Sequence, residues 1–410
     1  MLTLRGISLL LAVIVLLAIA WNTDITMVYI FFVIAFVMFV LSYIHMRLNI
    51  PFIEVRRFAQ DTAFEDEMLN IKMKISNNLS RGASFFEILD YFPAAAPGKE
   101  KTSLFMLDIK AKEEKDFNYT IECYKRGVWK IGPVDIVSQD ALGFFRMRKP
   151  LNVISDIIVY PALFRIFAFP PLASGSVSWM GVETAKISGD SHEFFGIREY
   201  QRGDAMSRIH WPSTARHNKL IVKQFERSAI QEATIVLDLK KGNNIGAGKE
   251  TTLEYAVKIA GSIARFLMDS GAFVQIAGFT KEAIILPLGK GDSHLYKTLE
   301  YLARVRAEGS YTLSQTLEEA SFITPYGSTL ITIMLDTDME ALSSLVQFKL
   351  KGIKLIVVVL SSSTFGHTEE SEYLDSEGAK KFDEALAGLE AHVYRISKGD
   401  DLEKKFEAAL

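Results

Sequence analysis

Two apolar runs stand at the head of this chain and restrict it more than anything that follows. Leu2 to Trp21 is broken only by Thr3, Arg5 and small residues, and Ile25 to Ile44 carries no charge at all. Each run is about 20 residues long, enough for a helix to cross a hydrocarbon core of about 30 Å. Only Asn22-Thr23-Asp24 separates them, which predicts a helical hairpin in a bilayer. A cleaved signal peptide is the competing expectation for the first run. No A-x-A-like cleavage site follows it, however, and the second run begins almost at once. Arg5 precedes the hairpin, Arg47, Arg56 and Arg57 follow it, and the connecting turn holds no cation. By the positive-inside rule both ends, and the body beyond Arg47, belong in the cytoplasm. The expectation is a multi-pass protein of the inner (cytoplasmic) membrane, with the lipid bilayer as its first partner.

The chain of 410 residues leaves room for two or three further domains. A net charge of −3 gives no general pull toward nucleic acid, which is not expected as a partner. Cys123 is the single cysteine, so no intrachain disulfide can form, and no Cys/His cluster suggests zinc. Both facts suit a reducing compartment. The expected organisation is a hairpin at 1–46, a β-sandwich at 47–165, a linker and charged segment at 166–230, and an α/β domain at 231–410.

Met68 to Asn78 alternates with period two. Leu69, Ile71, Met73 and Ile75 fall on one face, and Met68, Asn70, Lys72, Lys74 and Ser76 on the other, the pattern of a half-buried strand. Phe85–Asp90, Thr102–Ile109, Asn118–Tyr124 and Val134–Ser138 read as further strands between Pro and Gly turns. Several short strands at this spacing predict an immunoglobulin-like sandwich acting as a structural spacer. Phe167 to Lys186 has little periodicity and reads as a linker.

Gly189 to Glu226 concentrates charge and aromatics. Arginines and lysines alternate with carboxylates, and Phe194, Tyr200, Trp211 and Phe225 lie between them. A strand is expected at 195–201 and a turn at Gly203-Asp204. A short helical or irregular stretch, which Asp204 can cap, should cover 205–217, with a second strand at 219–225. Glu193, Phe194, Gly196, Ile197, Arg198, Tyr200, Gly203, Asp204, Arg208, Ile209, Trp211, Thr214, Ala215 and Arg216 stand at many fixed spacings. This run resembles the signature of the bacterial domain of unknown function 58, E-F-x-G-I-R-x-Y-x-x-G-D-x-x-R-x-I-x-W-x-x-S/T-A-R. The resemblance extends to Arg126-Gly127, to Gly132-Pro133-Val134 and to Val159-Tyr160-Pro161. It also takes in Asp140-Ala141-Leu142-Gly143-Phe144-Phe145, where Ala141 departs from the proline usual in the family.

Three readings compete for the signature residues Glu193, Arg198, Tyr200, Gly203, Asp204, Arg208, His210, Trp211 and Arg216. They could clamp neighbouring domains through ion pairs. They could form a recognition surface in which Arg and Trp anchor a protein partner. Or Asp204, Arg208, His210 and Arg216 could line a pocket for a phosphate-bearing or envelope precursor. No Ser or Cys nucleophile stands at a recognisable spacing, so no catalytic residue is assigned.

From Ala233 strands and helices alternate, which predicts a doubly wound sheet. One early hairpin inside the series, Phe273–Phe279 and Ala283–Leu288, resembles a von Willebrand factor A domain. That resemblance implies a Mg²⁺ site at the carboxyl edge, with a D-x-S-x-S run, a loop threonine and a second aspartate as ligands. Asp238 and Asp336 keep the carboxylate positions, Lys240 and Gly242 replace the serines, and Tyr311 stands where the threonine belongs, with Thr312 one residue off. Magnesium wants near-octahedral oxygen coordination, so no metal and no cofactor is expected. Lys240 either fills the cation's place between Asp238 and Asp336 or points into solvent. Loops 240–249, 289–293 and 361–367 are expected to be exposed. Family members resembling this chain are often encoded beside MoxR-type AAA+ ATPases and a transglutaminase-like membrane protein. The resemblance therefore implies a non-enzymatic, membrane-anchored adaptor or scaffold working with such partners in complex assembly or at the cell envelope.

Overall fold

The structure is a computed structural model that describes residues 2–23, 25–49, 53–140, 142–173, 194–201, 206–225, 231–279, 283–366 and 376–407. The chain is multidomain. It divides into two compact units, Met1–Leu163 with Leu299–Val305, and Phe164–Thr298 with Arg306–Leu410.

The first unit begins with α1 (Leu4–Thr23) and α2 (Thr26–Asn49), packed as a hairpin. Both are long and apolar enough to cross a membrane, and only 17% and 6% of their most apolar stretches are buried. A core helix of a water-soluble domain would be mostly buried; these present Leu11, Val15, Phe31 and Ile34 outward. Trp21 is exposed at one end of the hairpin. Tyr43 stands near the other, where Arg47 Nε donates to its hydroxyl at 3.3 Å. Aromatic residues at both ends of an apolar hairpin are what an interface with headgroups favours.

Ten strands follow: β1 (Ile53–Phe58), β2 (Thr62–Phe64), β3 (Met68–Asn77), β4 (Ala83–Tyr91), β5 (Lys101–Ile109), β6 (Glu114–Glu122), β7 (Gly127–Ile131), β8 (Val134–Gln139), β9 (Arg146–Leu151) and β10 (Ser155–Tyr160). They form three sheets, β1-β3-β6, β2-β10-β7 and β5-β4-β8-β9, antiparallel throughout except for the β2–β10 pair. One core serves all three, with Leu69, Ile71, Met73 and Ile75 facing Phe86, Ile88, Ile136 and Ile157. The period-two face of β3 is thus the buried one, and the sandwich is immunoglobulin-like in its pairing. Arg57 corrects one expectation. It stands next to the exposed flanking cation Arg56, but its own side chain is fully buried and paired with Asp90, which also accepts from the Tyr119 hydroxyl. Its charge serves the core rather than the membrane flank. Burial, and then Asp90, push the Tyr119 hydroxyl well above its usual range.

The turn between β8 and β9 joins hairpin to sandwich. Asp140 accepts from the Phe145 and Leu142 amides at 2.6 and 3.1 Å and from Ser42 Oγ at 2.9 Å. Thr3 Oγ1 donates to the Gly143 carbonyl at 2.6 Å, and the Thr3 amide to Phe144 O at 2.9 Å. The Phe145 ring lies 4.9 Å from Phe39 and 5.5 Å from Tyr43. Gly6 comes so close that a Cβ there would stand 2.2 Å from the Phe144 carbonyl oxygen.

In the second unit, residues 164–173 are not a free linker. Phe164 N donates to Ser262 Oγ at 3.0 Å, Ala173 N to Thr329 Oγ1 at 2.8 Å, and Phe169 stacks on Tyr394 and Phe406. The remainder of the expected linker, 174–193, lies outside the described residues. β11 (Phe194–Glu199), α3 (Trp211–His217) and β12 (Ile221–Phe225) make the signature segment. β13 (Glu232–Leu237), the short β14 (Gly246–Ala247) and β15 (Glu250–Thr251), α4 (Thr252–Asp269), β16 (Phe273–Phe279), β17 (Ala283–Gly289), α5 (Asp292–Arg304), α6 (Leu313–Ile323), β18 (Thr329–Leu335), α7 (Met339–Leu350), β19 (Lys354–Leu360), α8 (Ser362–Phe365), α9 (Ser376–Gly388), β20 (His392–Ile396) and α10 (Leu402–Glu407) complete it. The main sheet runs β17-β16-β13-β18-β19-β20, parallel but for β17. Its continuous apolar strands are buried on both faces, the Rossmann-like arrangement. α4 starts under a Thr251 cap and ends before Gly271, whose φ of +83° suits the left-handed turn there.

Gly6→Ala is expected to destabilise the full chain in detergent by about 1–3 kcal/mol through the clash at the joint. Leu11→Ala, on the outward face, should change thermal unfolding by less than about 0.5 kcal/mol. Cys123 is buried, and burial beside Glu67 and Glu122 pushes its thiol up to about 12. It should resist alkylation at pH 8 in the native chain and react once denaturant is added, as mass spectrometry would show.

Candidate functional site

The signature segment folds on a two-stranded sheet of its own. β11 pairs with β12, Arg198 opposite Val222 and Glu199 opposite Ile221, and the Tyr200 amide donates to the Leu220 carbonyl at 2.8 Å. The short helical or irregular stretch expected at 205–217 takes the form of two pieces, a 3₁₀ turn at Met206–Arg208 and α3. Ile209 divides them because it bridges to Val222 and is buried, and the His210 amide donates to the Ile221 carbonyl. β-branched Ile209 thus joins the sheet rather than continuing the helix. His210 stands at the N-cap of α3, with His210 Nδ1 and Ser213 Oγ 2.7 Å apart, and Pro212 sits in the first turn, where its missing N–H costs nothing; the capping expected of Asp204 falls on a residue outside the described ones. Asn218, at φ +52°, ends the helix.

Glu193, Gly203 and Asp204 lie outside the described residues, as does the side chain of Arg208. Those described are at the surface. Glu199 and Lys219 pair at 2.9 Å with about two thirds of each side chain exposed. Such a pair contributes roughly 0–1 kcal/mol and does not amount to a buried clamp. Arg216 is exposed, Tyr200 is half-buried, and Arg198 Nη1 donates to the Glu199 carbonyl. No residue of α3 is buried, and Trp211 is 62% exposed at its start. Ile197, Met206 and Leu220 on the same small unit are exposed as well; sequence reasoning named Ile197 only as part of the signature run and passed over the other two. Their signal was present: apolar side chains on turns and edges that no period of a strand or helix would bury.

The second candidate is the carboxyl edge of the main sheet. Asp238 follows β13 and Asp336 follows the adjacent β18, so topology brings both carboxylates to one edge. Asp238 Oδ1 accepts from the Lys240 amide at 3.0 Å, and Asn243 Nδ2 donates to Oδ2. The described hydrogen-bond donors to this carboxylate are amides, and the Lys240 charge also draws its carboxyl down. Burial pushes the Asp238 carboxyl above its usual range, against the pull of these two donors. Asp336 Oδ1 accepts from the Ser362 amide at 3.0 Å. Tyr311 turns away to stack on Phe279 at 5.3 Å, and Thr312 is used up as the N-cap of α6 in a capping box with Gln315. Thr252 Oγ1 donates to the Asn243 carbonyl and accepts from the Ile245 amide. The cavity beside Asp238 is about 20 Å³, room for roughly one water. Among the described residues no three His, Cys, Asp or Glu side chains gather around a common point. The oxygens present do not fit octahedral coordination of Mg²⁺.

The loop at 240–249 was expected to be open. It carries the β14–β15 hairpin, buries Ile245 and supplies Asn243 to Asp238. The loop at 361–367 is likewise partly structured, with Ser362 and Phe365 of α8 buried.

Residues 196–359 match the DUF58 family domain, described as a protein of unknown function. The DUF58 match begins inside β11 and ends within β19, so it takes in both candidate sites. The uncharacterised protein YeaD of Bacillus subtilis (strain 168) is 22% identical over 208 residues, 51% of this chain and 50% of that protein. The chain spans about half the length of the curated relative it matches. Among solved structures, the CARDB domain of the PF1109 protein from Pyrococcus furiosus, in complex with di-metal ions, is 16% identical. It covers 27% of this chain and 88% of its own at a TM-score of 0.21. Proximal thread matrix protein 1 from the mussel byssus is 13% identical and covers 44% and 46% at a TM-score of 0.31. Scores this low carry no argument about fold or ligand.

A carboxyl held above its usual range binds a proton in the folded chain that the unfolded chain has already released. The contribution of Asp238 to stability therefore falls as pH rises from the ordinary carboxylate range through its raised value. Asp238→Asn should raise the melting temperature at pH 8, and the gain should shrink toward pH 4. Added Mg²⁺ should shift neither protein; a Mg²⁺-dependent rise confined to the parent chain would reveal a resident ion.

Proposed function

We propose that this chain is a membrane-anchored, non-enzymatic adaptor whose signature segment is a partner-binding surface. The observation that carries the reading is Trp211, 62% exposed on a helix none of whose residues is buried, with Met206, Leu220 and Ile197 exposed around the same two-stranded sheet. Large aromatics left in water on a charged rim are what interface anchors look like before their partner arrives. α1 and α2 supply the anchor in the inner membrane, the body stands in the cytoplasm, and the sandwich acts as spacer. The α/β domain is a von Willebrand factor A-like module, its sheet order and single antiparallel edge strand supporting that reading, with Asn243 where a cation would be. The resemblance of the signature segment favours a MoxR-type AAA+ ATPase as the partner, with membrane proteins of the same operon as further ones.

The alternative, an enzyme or ligand-binding protein using the Asp204, Arg208, His210 and Arg216 cluster, has one observation in its favour, the 2.7 Å contact of His210 with Ser213. That contact spans three residues at a helix start, with no carboxylate bonded to His210 among the described residues, and is the geometry of a local cap. A fluorophosphonate probe on native membranes should leave Ser213 unlabelled.

Trp211→Ala should leave thermal unfolding within about 0.5 kcal/mol, because the side chain is exposed. It should weaken partner capture by about 2 kcal/mol, roughly thirtyfold. Crosslinking in native membranes followed by mass spectrometry reads both the partner and the loss. If a MoxR-type ATPase is never enriched, with or without ATP, the partner assignment fails.

A further inference from the structure

The sheet β5-β4-β8-β9 opens on a cavity of about 810 Å³ in the first unit, within the range of ligand sites. Leu2 and Thr3, which lead directly into α1, form part of its wall, so it lies where the first apolar helix begins. Leu89 and Val137 give it apolar surface, and Lys101 and Arg148 bring cations. Two carboxylates also line it, and they differ in one respect. Asp90 is saturated by Arg57, the Tyr119 hydroxyl and the Tyr91 amide. The Asp135 side chain is only 8% exposed; its Oδ2 accepts from Arg148, and its Oδ1 is buried with no hydrogen-bond partner. A buried carboxylate oxygen without a donor is costly, and the residue that carries it lines a cavity large enough to admit one.

The site therefore asks for two things at once: an N–H donor, best a cation, for Asp135 Oδ1, and an anion for the cationic wall. We propose that the cavity binds a phospholipid headgroup carrying a primary ammonium beside its phosphate, the head of an aminophospholipid. The ammonium donates to Asp135 Oδ1 and the phosphate lies toward Arg148 and Lys101. The location decides for a lipid over a solute, since acyl chains leaving the cavity beside Leu2 and Thr3 can continue along the exposed apolar side of the hairpin. This site stands in a different unit from the Trp211 surface, and either can fail alone.

The test reconstitutes the full chain in nanodiscs of equal parts phosphatidylethanolamine, phosphatidylcholine and phosphatidylglycerol, with retained lipid read by native mass spectrometry. Phosphatidylethanolamine should be retained about tenfold over phosphatidylcholine, whose quaternary head has no N–H. Asp135→Asn, nearly isosteric, should erase that preference. Arg148→Gln, at a mostly exposed side chain, serves should Asp135→Asn fail to fold: it should lower retention of all three lipids. Equal retention of the ethanolamine and choline lipids, preference for phosphatidylglycerol, or an Asp135→Asn chain that keeps its preference would each overturn the proposal. Soluble phosphorylethanolamine binding as tightly as the lipid would overturn the lipid assignment in favour of a free solute.

Discussion

The Asp140 carboxylate holds the first unit together. Three donors converge on it: two amides from its own turn and one hydroxyl from α2. The amides shape the turn so that the Gly143 and Phe144 carbonyls meet Thr3, and the shaped turn places the Phe145 ring against Phe39 and Tyr43. Because each contact depends on the one before it, hairpin and sandwich meet at a joint of fixed geometry rather than across a loose tether. A flexible linker would have placed the sandwich anywhere within its reach. Here the sheet β5-β4-β8-β9 is held where its cavity shares a wall with the start of α1.

The two units solve the burial of charge in opposite ways. In the sandwich, Arg57 and Asp90 are both fully buried, and the arrangement is tolerable only because Tyr119 and the Tyr91 amide complete the carboxylate's bonds. In the α/β unit, Asp238 accepts from two neutral donors, and burial lifts its carboxyl above its usual range against their pull and that of the Lys240 charge. A cation in that place would have lowered it. The contrast is one of partners: the first carboxylate is matched by a buried cation, while the second is matched by amides.

Much of the fold was legible before any coordinates. The two apolar runs, the alternation of β3, and the strand–helix series from β13 onward follow from period and length, although α2 runs on to Asn49, past the apolar run that ends at Ile44. The short strands β2, β7 and β9 were not legible, because they lie in polar or glycine-rich stretches and exist through pairing with distant partners. Ile209 shows the same limit inside the signature segment: helical period could not reveal that it would bridge to Val222. At the carboxyl edge, Lys240 and Tyr311 could be seen to depart from the metal-site pattern that the resemblance implies, but the amide contact to Asp238 could not. Asn243 reaches Asp238 only because the β14–β15 hairpin folds a glycine-rich stretch back on itself. Thr312 needed its capping box with Gln315 to show that its hydroxyl was already committed.

Those substitutions change what the α/β module can offer a partner. A carboxyl edge with an ion binds an incoming carboxylate through the metal's open position; an edge closed by an amide has no such position. Recognition then has to come from shape and exposed side chains, among them those of the signature segment. Ile209 and Val222 bury the inner side of its small sheet, while Trp211, Met206 and Leu220 remain outside. A surface so divided, apolar within and aromatic without, is stable enough to be held ready and costs solubility until it is covered. The cost is acceptable only where a partner is regularly at hand, and attachment to a membrane shared with that partner is one physical way to ensure it, because tethering raises the effective concentration without any new contact.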